Sequence, residues 1–327
     1  MGLIAETARG TLPSGTPVYI PVTTPQVTPM QTFLRDEAFR GSPVMVYDQV
    51  QGVRHDEYDA KFYLFADTFG NFVKAVLGGT DTVTTTGSSS SHNIKLLNSA
   101  STGSQPQSYS ILDFDGANYF TITGAQADSI NLTYGAEAAA DATVKFFGNP
   151  YTSYTTPPSP FTTLSVSTEH MIPAWDTTIS VGGTTFNYIQ TGELKLERKT
   201  APIFTMGSQA PLTNFAGPIE VTGKFTAVVN SSTDVWSTGT NAEALTRSPQ
   251  AVVITLTDPN DSTSSVQHSI SFTMTAAQFH NVKRVRSKEY TEIEVEFTAN
   301  ADATDASAGG GYSPIQATIV NASSTPY

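Results

Sequence analysis

Along most of this chain apolar and polar residues alternate with period two, the signature of half-buried strands, and only one stretch keeps a helical period. That stretch is 68–77, where Phe69, Phe72, Val73, Val76 and Leu77 fall on one face. Asp67 is placed to cap its first turn, and Gly78-Gly79 supplies a left-handed stop. The period-two runs predict strands over 17–22, 43–51, 109–114, 119–123, 128–134 and 142–147. A second set follows over 177–181, 186–189, 192–199, 219–229, 251–257, 266–274, 282–299 and 315–320. A short second helix is expected after Asn241, through Ala242 to Leu245. Several of these strands are long enough to extend past a domain body, which points to pairing with another chain. Two Gly/Ser/Thr-rich segments, 78–108 and 300–313, read as disordered or ordered only on assembly.

A break divides the two sets. Pro157, Pro158 and Pro160 stiffen a Thr/Ser-rich connection, so we expect one β domain over 1–155, carrying the helix and the 78–108 loop, and a second over 156–327. A weak internal echo supports the division. Ala125 to Thr133 can be laid on Ile189 to Glu197, and Val144-Lys145-Phe146 on the Val221 to Phe225 run.

Composition narrows the chemistry. The 327 residues include no cysteine, which excludes disulfide frameworks, thiolate metal sites and thiol nucleophiles. Charged residues are 14%, and 17 Lys+Arg against 29 Asp+Glu leave a formal charge of −12, which opposes binding driven by phosphate neutralisation. The N-terminus has no apolar run typical of a signal peptide, and no apolar run reaches the ~18 residues of a membrane-spanning helix. We therefore expect a product made in the cytoplasm that does not bind membrane.

Motifs for catalysis fail one after another. His55, His92, His170, His268 and His280 have no metal-binding spacing, and there is no G-x-S-x-G elbow. Gly217 to Phe225 has five residues between its glycines and Phe225 after Lys224, so it is not a phosphate loop. Asp113-Phe114-Asp115-Gly116 lacks the rest of a calcium loop and reads as a hairpin turn. Four N-x-[ST] sequons are expected by chance in so Ser/Thr-rich a chain. No enzyme activity and no cofactor or metal is expected.

Two charge patterns stand out. In Tyr290 to Phe297, strand geometry puts Glu292, Glu294 and Glu296 on one face and Ile293, Val295 and Phe297 on the other. This is either a solvated face with cross-strand basic partners or an acidic wall lining a shared cavity. Just upstream, Lys283, Arg284, Arg286 and Lys288 concentrate positive charge, either as separate surface charges or as a patch for the acidic surface of a neighbouring copy.

The order of parts resembles the major tail tube proteins of long-tailed, siphovirus-like bacteriophages. The resemblance runs through Glu37-Ala38-Phe39-Arg40-Gly41, the aromatic helix Phe65 to Gly79 and the Ser-rich loop reaching His92. It continues through Ser129 to Tyr134, Gly192 to Glu197, Ile203 to Ser208, Gly217 to Phe225 and Ala317 to Asn321. It implies a mainly β protein, a tail-tube-type β-sandwich or barrel with a flanking helix and two tube-like halves in one chain. Such a virion protein stacks as rings into a tube through which DNA is ejected without specific binding, with other tail proteins at the tube ends. Two halves per chain favour trimeric rings with pseudo-sixfold symmetry over hexamers. The resemblance also implies that N-terminal segments, a long loop and the C-terminal strand bridge subunits, and it places Glu292, Glu294 and Glu296 in the lumen. Competing expectations are a secreted or surface adhesin or carbohydrate-binding module, or a capsid or decoration subunit. Trp175 and Trp236, the only tryptophans, offer little platform for sugars.

Overall fold

The structure is a computed structural model, and it describes residues 1–98, 105–163, 167, 169–186, 188–229, 248–260, 267–286, 289–307 and 310–327. Its elements, in chain order, begin with β1 (Gly2–Ala5), β2 (Val18–Tyr19), β3 (Thr24–Asp36), β4 (Asp48–Tyr63) and α1 (Phe69–Leu77). Next come β5 (Thr82–Thr86), β6 (Ser89–Lys95), β7 (Tyr109–Phe114), β8 (Tyr119–Gly135), β9 (Asp141–Gly148) and β10 (Thr152–Tyr154). The remainder comprises β11 (Thr177–Val181), β12 (Thr184–Phe186), β13 (Ile189–Glu197), β14 (Ala201–Ile203), β15 (Thr213–Phe215), β16 (Glu220–Val228), β17 (Gln250–Thr257), β18 (Ser269–Arg286), β19 (Thr291–Ala299) and β20 (Gln316–Asn321).

One antiparallel sheet runs through the molecule in the order β3–β4–β9–β8–β13–β16–β19–β18. Its order contains a repeat. Numbered within each half of the chain, both β3–β4–β9–β8 and β13–β16–β19–β18 read first, second, fourth, third. The outer strands repeat as well. In the first half β2 pairs β1, β1 pairs β7, β7 pairs the start of β8, and β10 covers the other side of that start. In the second half β12, β11, β17, β18 and β20 are joined in the same way. The Pro-rich segment expected to divide the chain lies between β10 and β11.

The two longest strands, β8 with 17 residues and β18 with 18, each serve two sheets. Each changes sheet next to a register shift, between Ala127 and Ser129 in β8 and between Phe279 and Asn281 in β18. An extra residue there bends the strand and sharpens its twist, so one strand can leave the outer sheet and enter the long one. The internal echo is thereby corrected. β8 and β13 are direct neighbours, with Leu132 opposite Leu194 and Ile130 opposite Leu196, and the topological counterpart of β8 is β18.

One large core underlies both halves, with a small cluster of Ile4, Tyr19, Leu112 and Phe161 apart from it. All five predicted apolar residues of α1 are buried, and Gly78 ends the helix at φ 73° with its N–H donating to the Lys74 carbonyl. The N-cap is Thr68 rather than the expected Asp67. Phe72 stacks on Phe62 of β4 at 4.5 Å, while Phe69 meets Phe272 of β18 edge-on at 6.1 Å. The helix thus ties the first half to the second, each buried Phe contributing about 2–3 kcal/mol.

The segment 78–108, expected to be disordered or to order only on assembly, contains the β5–β6 hairpin, and β6 pairs with β20 of the same chain. The C-terminal strand therefore has both edges occupied internally, by β18 and β6, and β1 is likewise held between β2 and β7. Strand β3 was not anticipated, because Pro25 and Pro29 interrupt its pattern; proline is tolerated in an edge strand, and β3 is one. The helix expected at Ala242 to Leu245, and Trp236 with it, lie outside the described residues.

A buried polar lock fixes the C-terminal segment. His92 and Asp81 are both buried, with Nδ1 of His92 2.7 Å from an Asp81 carboxylate oxygen and Nε2 2.8 Å from the Ser323 carbonyl oxygen. The Tyr327 backbone N–H donates to the same carboxylate at 3.0 Å, and the Tyr327 hydroxyl donates to the Ala66 carbonyl at 2.8 Å. Replacing His92 by Leu strands part of a buried carboxylate, so thermal or denaturant unfolding is expected to show a loss of about 3 kcal/mol. A loss below about 1 kcal/mol would mean that this contact does not hold the C-terminal segment.

Candidate functional site: the charged face of the long sheet

Alternation gives the long sheet one apolar face and one polar face. On β19, Ile293, Val295, Phe297 and Ala299 are buried while Glu292, Glu294 and Glu296 look the other way. The same parity holds across the neighbours, where Gly192, Leu194 and Leu196 of β13 and Val221, Gly223, Phe225 and Ala227 of β16 point into the core. Register then lines up the outward residues in rows. One row runs Tyr63, Asp141, Thr133, Glu193, Lys224, Glu296 and Asn281 from β4 to β18. The next, toward the start of β19, places Thr226, Glu294 and Lys283 together.

The face is a mosaic of carboxylates and lysines. Lys61 meets Asp141 at 2.9 Å, Lys145 meets Glu57 at 2.7 Å, Lys195 meets Glu197 at 2.7 Å and Lys224 meets Glu193 at 2.5 Å. Of the three predicted glutamates, Glu294 lies 3.7 Å from Lys283 and Glu296 accepts a hydrogen bond from Asn281 Nδ2 at 2.9 Å. The predicted basic cluster divides. Lys283 is on this polar face, whereas Arg284 and Arg286 are on the opposite face of β18, and Lys288 is outside the described residues. Besides Lys61 of β4 and Lys145 of β9, the partners missed by sequence reasoning are the lysines of β13 and β16. Their signal was present in Glu193-Leu194-Lys195-Leu196-Glu197, whose alternation matches that of the Glu292 to Glu296 run.

The surface is concave where β8, β13, β16 and β19 meet. A trough of about 540 Å³ is lined there by Thr133, Asp141, Glu193, Lys224, Glu294 and Glu296. Among the described residues no cluster of His, Asp and Glu has the arrangement of a metal site, and no helix is long and apolar enough to cross a membrane. A lining of this kind offers little attraction to a phosphate polyanion. Carboxylates repel phosphate, and lysines already paired with carboxylates offer it little.

The Glu193–Lys224 pair sets a pH dependence. A hydrogen bond from Lys224 holds Glu193 below its ordinary value of 4.5, with burial opposing and Asn131 and Lys195 assisting. A depressed folded-state value stabilises the protein above the unfolded value, and that stabilisation is lost as pH falls through the folded one. Glu193→Gln should therefore cost about 0.5 kcal/mol near neutrality and nothing near pH ~3, read as a convergence of the two unfolding curves. A constant offset at every pH would remove the pair as the cause.

No curated protein matches the chain. A family model does, described as phage tail tube protein and matching residues 1–299. That span takes in the whole of the long sheet, both of its repeats and α1. The chain belongs to the phage tail tube protein family and is a structural component of the virion tail.

Proposed function

We propose that this protein polymerises as stacked rings into the tail tube and that the charged face of its long sheet lines the channel through which DNA is ejected. The repeated strand order carries the reading. Residues 1–155 and 156–327 each contribute one four-strand tube unit, and β8 against β13 is the joint between units. The joint leaves β3 free at one end of the long sheet and the second part of β18 free at the other, among the described residues. A head-to-tail contact of that kind closes into a ring when the rotation permits. Six units in three chains give a trimeric ring with pseudo-sixfold symmetry, and the protein acts without catalysis.

Stacking needs a second surface. The hairpin of β3 and β4 projects beyond the strands it pairs with and exposes Phe33, Leu34, Phe39, Met45 and Val50. An apolar tip of this size marks a contact surface, and we assign it to the ring above or below. It takes the bridging role first expected of the C-terminal strand.

Negative-stain electron microscopy of the concentrated protein should show annular rings and tubes with an open lumen, and class averages should show threefold symmetry. A protein monomeric at every concentration would overturn the proposal. The lumen assignment has its own test. Glu292→Lys, Glu294→Lys and Glu296→Lys together should leave tubes intact and slow DNA ejection from assembled virions; ejection at the wild-type rate would remove these residues from the lumen.

A further inference from the structure

The repeat supplies the register of a contact that a single chain does not contain. Matching β8 to β18 through their register shifts sets Asn131 on Lys283, Leu132 on Arg284, Thr133 on Val285 and Tyr134 on Arg286. Matching β3 to β13 through the strands they pair with sets Pro25 on Gly192, Gln26 on Glu193, Val27 on Leu194 and Thr28 on Lys195. Within the chain, Asn131 lies opposite Lys195, Leu132 opposite Leu194, Thr133 opposite Glu193 and Tyr134 opposite Gly192. Transferred to the free edges, these pairs become Lys283 with Thr28, Arg284 with Val27, Val285 with Gln26 and Arg286 with Pro25.

The transferred joint differs in chemistry from its template. Leu132 and Tyr134 are buried in the core, and the space a Gly192 side chain would need is filled by the Tyr134 ring. Their counterparts on β18 are arginines, both exposed. The receiving surface differs in the matching sense. Beside β3 lies an open groove of about 300 Å³, lined by Val27, Pro29, Phe120 and Tyr151 and carrying the carboxylates of Asp113 and Asp115. Asp115 is exposed at the turn after β7. In the second half the position corresponding to Asp113 is Ile254, which is buried. Acid thus replaces hydrocarbon on one side of the joint where base replaces hydrocarbon on the other.

We infer that the groove beside β3 receives Arg284 and Arg286 of a second copy of this chain, whose β18 extends the long sheet along β3 with Lys283 opposite Thr28 and Val285 opposite Gln26. The inference rests on the ring reading above and adds to it a register and a charged lock. Apolar packing makes the joint inside each chain permanent, whereas an Arg–carboxylate joint between chains depends on salt and on both partners being present. Charged side chains on β18 and prolines on β3 also keep two free edges from pairing in other registers.

The absence of cysteine makes the register directly measurable. Thr28→Cys with Lys283→Cys, and Gln26→Cys with Val285→Cys, should each give under a mild oxidant a ladder of covalent multimers that ends at the ring number and collapses with dithiothreitol. Gln26→Cys with Asn281→Cys, four residues out of register, should not. Tubes that form normally while the out-of-register pair cross-links and the in-register pairs do not would overturn the register. Separately, Arg286→Glu should raise the concentration needed for tube formation at least tenfold, and adding Asp115→Lys should bring it back to within threefold. An unchanged threshold, or no recovery, would overturn the charged lock although tubes form. A wild-type chain that never forms rings would overturn the ring reading itself and this inference with it.

Discussion

The pairing of β8 with β13 is the contact on which the rest of the molecule depends. It joins Leu132 to Leu194 and Ile130 to Leu196 across the middle of the long sheet, and it is the only place where the two repeats share a sheet ladder in that sheet, among the described residues. Because it is antiparallel and in register, the apolar faces of both halves meet the same core and the charged faces form one continuous surface. A slip of one residue would exchange the faces of every strand beyond it.

That pairing is made possible by the long strands. At about 3.3 Å per residue, β8 and β18 are far longer than a strand confined to one small sheet, and a locally sharpened twist lets each belong to two. The outer part of each strand carries the sandwich, with α1 and the β5–β6 hairpin closing over the core. The inner part carries the charged face of the long sheet. Buried polar contacts then hold the periphery to this frame. Glu6, itself buried, accepts hydrogen bonds from Ser108 and Ser110 hydroxyls at 2.7 and 2.6 Å and from the Gly124 N–H at 2.8 Å, which pins the N-terminal segment as His92 and Asp81 pin the C-terminal one.

The distribution of charge follows the same logic. A net charge of −12 could have been spread over the whole surface, but on the long sheet Asp141, Glu57, Glu197 and Glu193 each meet a lysine at 2.5–2.9 Å. Paired in this way, these four lysines offer little to a passing anion. Arg284 and Arg286 stand instead on the opposite face of β18, both exposed.

By itself the sequence determined the β-rich class, the helix and its buried face, the side of β19 on which Glu292, Glu294 and Glu296 stand, and the family. These are local properties: period, caps and the order of parts are written in neighbouring residues. Tertiary structure alone decided the rest. β3 was hidden because proline breaks a propensity pattern that an edge strand does not need. The 78–108 segment read as unstructured because its hairpin is stabilised by β20, more than two hundred residues away in sequence. The basic run from Lys283 looked like one patch until strand parity divided it between two faces. The repeat was also misplaced by sequence, which aligned β8 with the strand beside it, since two strands that pack on one core carry the same alternation whether they are counterparts or partners. Which of the two they are is fixed by hydrogen-bonded pairing, a non-local interaction that no window along the chain contains.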